Sequence, residues 1–96
     1  MTYEIVTTKR FDKEVKQCVK RGYDMGNLRV VIKTLAERGV LPKEYKSHKL
    51  KGDFKGTIEC HVQPDWLLIY EKAEKIKLIR LLRTGTHSDL YGKRTK

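Results

Sequence analysis

Cysteine is scarce in this 96-residue chain: only Cys18 and Cys60, far apart and outside any C-x-x-C pair. That excludes a cysteine-built metal module and a disulfide-stapled scaffold. One bridge between the two stays open, with two free thiols in a reducing cytosol as the expectation. Long apolar runs are missing too. The longest, Trp66 to Tyr70, falls far short of the roughly 20 residues that cross a bilayer. The opening MTYEIVTTKR lacks the apolar stretch of a secretory signal. A soluble, cytoplasmic protein without a membrane partner is expected. There is no Walker loop and no G-x-G-x-x-G, so nucleoside triphosphate chemistry has no support. Repeats, low-complexity segments and linkers are also absent, which makes residues 1–96 one domain.

What is present in excess is positive charge. Twenty-two Lys and Arg face twelve Asp and Glu, for a net charge of +10. A polyanion partner follows, nucleic acid first; an acidic protein, or solubility alone, is the plainer explanation. The excess divides evenly between residues 1–47 and 48–96, so it belongs to the folded body. Only Lys93-Arg94-Thr95-Lys96 reads as a short end that could fray.

The periodicity predicts an α+β fold. Tyr3 to Thr7 alternates as a first strand. Phe11, Val15, Cys18 and Val19 fall at helical spacing and Gly22 ends that helix. Asp24 caps a second helix with Leu28, Val31, Ile32 and Leu35 on its apolar face, ended by Gly39 and Pro42. The pair forms a helical hairpin. Beyond a basic loop the period shortens to two: Ile58, Cys60 and Val62 share one face, Thr57, Glu59 and His61 the other. Pro64-Asp65 turns into Trp66–Tyr70, and residues 76–83 supply a further strand closed by Gly85. The expected architecture is an N-terminal strand, two helices and an antiparallel meander of three to four strands. The helices cover one sheet face, and the polar, basic other face is left open for a site.

All three histidines, His48, His61 and His87, lie in the strand-rich half. Singly, each reads best as a surface or hydrogen-bonding residue; together on one open basic face they invite chemistry. Histidine both gives and takes protons near neutral pH. RNA cleavage needs a base for the 2′-hydroxyl, an acid for the departing 5′-oxygen and cations for the crowded phosphate. Rival sites fare worse. Zinc on Cys60 and His61 fails, because adjacent strand residues face opposite ways. A three-histidine zinc site stays open, but the spacings match no familiar ligand pattern. Cys18 points into the core, so it is no nucleophile. A DNA-reading helix-turn-helix over 9–39 lacks base-reading amides beyond Asn27.

At these histidine segments the chain resembles the RelE superfamily of bacterial toxins, in its YafQ branch. The resemblance is carried by Phe11-Asp12-Lys13-Glu14-Val15-Lys16, His48-x-Leu50-x-Gly52, Cys60-His61-Val62-Gln63-Pro64-Asp65-Trp66-Leu67-Leu68-Ile69-Tyr70 and Arg83-Thr84-Gly85-Thr86-His87-Ser88-x-Leu90-Tyr91-Gly92. Other RelE branches use Lys, Arg and Tyr where this chain has histidines. The resemblance implies the toxin of a type II toxin–antitoxin system, a ribosome-dependent mRNA endonuclease without metal or cofactor. The free toxin would be a monomer that forms a hetero-oligomer with its cognate antitoxin. The implied active residues are His48, His61, Asp65, Trp66, His87 and Tyr91, the last often Phe in the branch. On that basis His87 is the acid and His48 the base, with His61 and Asp65 orienting or sharing its proton; Asp65 is the alternative base. Trp66 and Tyr91 contact the substrate, while Arg83, Lys49, Lys51 and Lys55 bind phosphate. The other readings are a ribosome-independent ribonuclease, a non-catalytic RNA- or ribosome-binding protein, and an adaptor for an acidic protein.

Overall fold

The computed structural model describes residues 2–92, so the short basic end at 93–96 lies outside the described residues. Strand β1 (Glu4–Thr7) leads into helix α1 (Lys9–Lys20) and helix α2 (Met25–Arg38). A short strand β2 (His48–Lys49) follows, then β3 (Ile58–Gln63), β4 (Trp66–Ala73), β5 (Leu78–Gly85) and a one-turn helix α3 (His87–Tyr91). The five strands form one sheet in the order β1-β5-β4-β3-β2, with β1 parallel to β5 and the other pairs antiparallel. The expected α+β architecture is what folds, with two differences. The last strand begins at Leu78, because 74–77 turn with Lys77 at φ 52°. And α3 was not expected at all.

Local chemistry sets the helix ends. Thr8 Oγ1 accepts from Phe11 N at 3.0 Å to cap α1, and Asp24 accepts from Gly26 N at 3.0 Å to cap α2. Gly39 ends α2 at φ 75°, a left-handed conformation in which a side chain would also run into the Tyr3 ring. The apolar stripes of both helices meet one sheet face. Phe11, Cys18, Leu28, Val31 and Leu35 pack there on Cys60, Val62, Trp66, Leu68, Tyr70, Ile79 and Leu81. Both thiols are free and buried. Burial raises both, Cys60 to about 12, so each stays protonated and inert.

The opposite face carries a second, smaller cluster. Leu67, Ile69 and Leu90 pack with Leu50, Phe54 and Leu82, so α3 and the 50–54 loop roof part of the sheet. The histidines stand beside that roof, where the sheet comes back to solvent.

Candidate active site

Register places the first two histidines. His48 pairs with Glu59 across β2 and β3, and directly opposed residues project from the same face. His61 lies two residues along β3 on that same side. Glu59 is 5% exposed, and its carboxylate gathers three side chains. His48 Nε2 approaches Oε1 at 3.3 Å and His61 Nε2 at 3.9 Å. The Tyr91 hydroxyl donates to Oε2. A buried carboxylate is tolerated because donors surround it. Burial first, and then this bond, raises the Tyr91 phenol above its ordinary value. Tyr91 therefore stays protonated and acts as a donor.

His87 arrives from the far side on α3. Its backbone N–H donates to Asp65 Oδ1 at 3.0 Å, and its ring Nδ1 lies 2.5 Å from the same oxygen. These two bonds hold the Asp65 carboxyl below the usual range. The carboxylate fixes the proton on Nδ1 and frees Nε2 to face solvent, where a substrate would be. The His61 and His87 rings lie 5.8 Å apart at 62°. The site thus has two arms, His48–Glu59–His61 and His87–Asp65, each backed by its own carboxylate.

The segment Arg83 to Asp89 makes this geometry possible. Arg83 donates from Nε to Glu14 of α1 at 2.8 Å and reaches the carbonyl of Asp89 at 3.3 Å. Thr84, fully buried, accepts from the Trp66 indole at 2.9 Å and donates to the Leu67 carbonyl at 2.7 Å. Its backbone N–H donates to Glu14. Gly85 has φ 152°, and a Cβ there would sit 2.7 Å from Asp89 Oδ2. Thr86 and Asp89 form a reciprocal capping box at the start of α3. Arg21, at the C-terminal cap of α1, then grips Asp89 with two bonds, at 2.6 and 3.0 Å. Five residues of helix alone are marginal; this lattice of caps and ion pairs holds α3 in place.

Arg21 keeps the Asp89 carboxyl well below the ordinary carboxylate range. A depressed folded-state value gives stability that is complete above the unfolded value of about 3.9 and is lost as pH falls through the folded one. Asp89→Asn is therefore expected to cost roughly 1–2 kcal/mol at pH 7 through cap and ion pair together. The deficit should narrow as pH drops toward 3. Denaturant midpoints of both proteins across that range check this; a deficit independent of pH would remove the charge from the account.

Not every expected site residue joins the histidines. Asp65 and Tyr91 do, with Asp65 as the partner of His87. Trp66 stands in the core, 4% exposed, its indole N–H spent on Thr84 and its ring 4.8 Å from that of Tyr23. Arg83 is committed to Glu14 and the α3 backbone. Lys49 opposes Ile58, whose side chain packs toward the helices, so it projects from the other face than His48. With Lys51, Lys55 and Lys72 it surrounds a cleft of about 920 Å³ that no histidine lines. His48 has a carbonyl at Nδ1 (Lys46, 3.1 Å) and a carboxylate at Nε2. To take a proton from a substrate, the ring has to turn away from Glu59.

Glu59, Glu14, Arg21 and Asp89 were not foreseen as site residues. Two had a readable signal. Alternation put Glu59 beside His61, and Thr86-x-x-Asp89 is a capping-box spacing. The Arg21 and Glu14 tethers join residues far apart in the chain, and nothing local announces them.

Comparison with known proteins agrees with the geometry. The model of a bacterial toxin of type II toxin–antitoxin systems, YafQ, matches residues 3–92. The mRNA interferase toxin YafQ of Escherichia coli K12 is 43% identical over 84 residues, 86% of this chain and 89% of that protein. The E. coli DinJ–YafQ complex superposes with a TM-score of 0.85 at 41% identity, covering 94% of this chain and 99% of the other. A metal-bound toxin of Helicobacter pylori gives 0.83 at 42% identity, again over 94% and 99%. With the match running through every segment that builds the two-armed site, this chain belongs to the YafQ family of bacterial type II toxin–antitoxin toxins.

Proposed function

We propose that this toxin is a cytoplasmic endoribonuclease that cuts mRNA on the ribosome by histidine acid–base chemistry, and that a cognate antitoxin silences it. The observation that carries the reading is the pair of proton-transfer arms whose rings lie 5.8 Å apart, each with its own carboxylate. The E. coli relative bears the name mRNA interferase, and a relative is seen in complex with DinJ. Free of antitoxin, the chain is a monomer.

In the proposed reaction the 2′-oxygen attacks the adjacent phosphorus while its proton passes to the His48–Glu59–His61 arm. Glu59 steadies whichever ring carries the added charge. The bond from phosphorus to the 5′-oxygen breaks, and His87 Nε2 supplies that oxygen with a proton. Asp65 stabilises the imidazolium before transfer and keeps the ring aimed. The products are a 2′,3′-cyclic phosphate and a 5′-hydroxyl. Tyr91 holds Glu59 and offers the edge of its ring, itself stacked edge-on against Phe54 at 5.4 Å, to a base. The lysine cleft, displaced from the histidines, suits docking to ribosomal RNA rather than contact with the scissile phosphate.

Incubation with programmed ribosomes and mapping of the mRNA ends tests this directly. New ends bearing a cyclic phosphate are expected; intact message would defeat the proposal. Acid and base both come from side chains, so cleavage should also persist in a chelator that strips zinc, with the ribosome's magnesium maintained. Metal would compete for the same lone pairs, which makes the metal-bound H. pylori relative a reason to run this control. Activity lost to the chelator and restored by zinc would replace the proton-transfer mechanism with a metal one.

A further inference from the structure

Around the corner from the histidines, a groove of about 340 Å³ runs between the start of α2 and the β3–β4 turn. Tyr23, Asp24, Asn27, Gln63, Asp65 and Trp66 line it. Its composition differs from that of the rest of the surface. Tyr23 is half-buried, its ring braced at 4.8 Å by the buried Trp66, which gives a rigid aromatic wall. The amides of Asn27 and Gln63 have no hydrogen-bond partner among the described residues, and each offers both donor and acceptor. No Lys or Arg lines the groove, so it is not built for phosphate. An aromatic wall with unpaired amides beside it is the chemistry that recognises an unstacked base of single-stranded RNA, by stacking and by its edge.

Asp65 fixes where that base would sit. It lines the groove and also holds His87 by ring and backbone. Both bonds use Oδ1, leaving Oδ2 without a partner among the described residues. A base in the groove is thus one side chain away from the acid. We propose that this groove is the subsite for a nucleobase flanking the cleaved phosphate, with Tyr23 as the stacking surface and Asn27 and Gln63 reading the base edge. The assignment rests on the ribonuclease reading and gives it a sequence preference.

The test uses the whole toxin and one ribosome-bound message library in which the bases around the cut vary. Cut sites are mapped for wild type, for Asn27→Ala with Gln63→Ala, and for Tyr23→Leu with its melting curve. In the amide variant the preference at one flanking position should fall by roughly 5- to 100-fold, the discrimination that a good amide–base pair provides. Total cleavage of already disfavoured sequences should change little. A cut profile identical to wild type would overturn the subsite and leave the ribonuclease standing. The single tryptophan provides a second reading: short oligoribonucleotides should shift Trp66 fluorescence in wild type, and weakly or not at all in the amide variant. A toxin that cuts nothing yet shows that difference would keep the groove and discard the ribonuclease. Equal fluorescence responses in both proteins would discard the groove.

Discussion

His87→Gln should lower mRNA cleavage by roughly 10²–10⁴-fold, the usual contribution of one positioned acid, and relieve growth inhibition without altering the melting curve. Glutamine keeps the length and a polar tip but cannot release a proton. The His87 side chain is about half exposed at 52%, so its loss opens no cavity, and the backbone bond to Asp65 survives the substitution. Single-turnover cleavage of a ribosome-bound message is the right measurement, because it isolates the chemical step from product release. Near wild-type cleavage by a well-folded variant would place the acid elsewhere and reduce His87 to a structural residue at the start of α3. Asp65→Asn should fall between the two proteins. It keeps the geometry but removes the negative charge that stabilises the imidazolium.

The second large effect is expected from the substrate's own setting. One labelled mRNA, presented free or on programmed ribosomes at equal concentration and salt, should be cut far faster in the ribosome. The two arms supply proton transfer, but the 2′-oxygen, phosphorus and leaving oxygen must also come into line, and a free strand adopts that geometry rarely. Such positioning is worth on the order of 7–11 kcal/mol in favourable cases. Little on the protein can provide it. The arginines that seat α3 are spent: Arg83 on Glu14, Arg21 on Asp89. Lys49, Lys51 and Lys55 line a separate cleft. A net charge of +10 suits docking to ribosomal RNA, which then presents the message. Equal rates would make the toxin a general ribonuclease and remove the ribosome from the mechanism.

How far the chain could be read in advance followed the range of the interactions. Elements set by neighbours in sequence were legible: Asp24 and Gly39 bound α2, and Ile58, Cys60 and Val62 turned inward as alternation requires. The histidines were legible because their residue type and their segments carry chemistry. For Trp66 a local pattern cannot tell a core indole from one facing a ligand; the bond to Thr84, eighteen residues on, holds it in the core beside the groove it helps to line. The lysines were misplaced for a related reason. A one-residue step along β2 carries Lys49 to the opposite face from His48, and a basic run in sequence is not a basic patch in space. Helix α3 was overlooked because five residues have too little periodicity to show. It is held by Arg21, Asp65 and Gly85 together with its own Thr86–Asp89 capping box.

The parallel pairing of Glu4–Thr7 with Leu78–Leu81 also bears on how the toxin is made. Translation delivers β1 long before its partner β5, so the sheet stays open on that side until β5 has followed. The tethers that seat His87 and Tyr91 depend on the same late segment, since Arg83 and Thr84 must be in register before Glu14 can hold them. A chain that stops short of β5 therefore lacks the assembled two-armed site. The site is complete only after β5 has paired, and contacts of such long sequence separation form slowly. That interval leaves time for an antitoxin to meet the toxin as it folds.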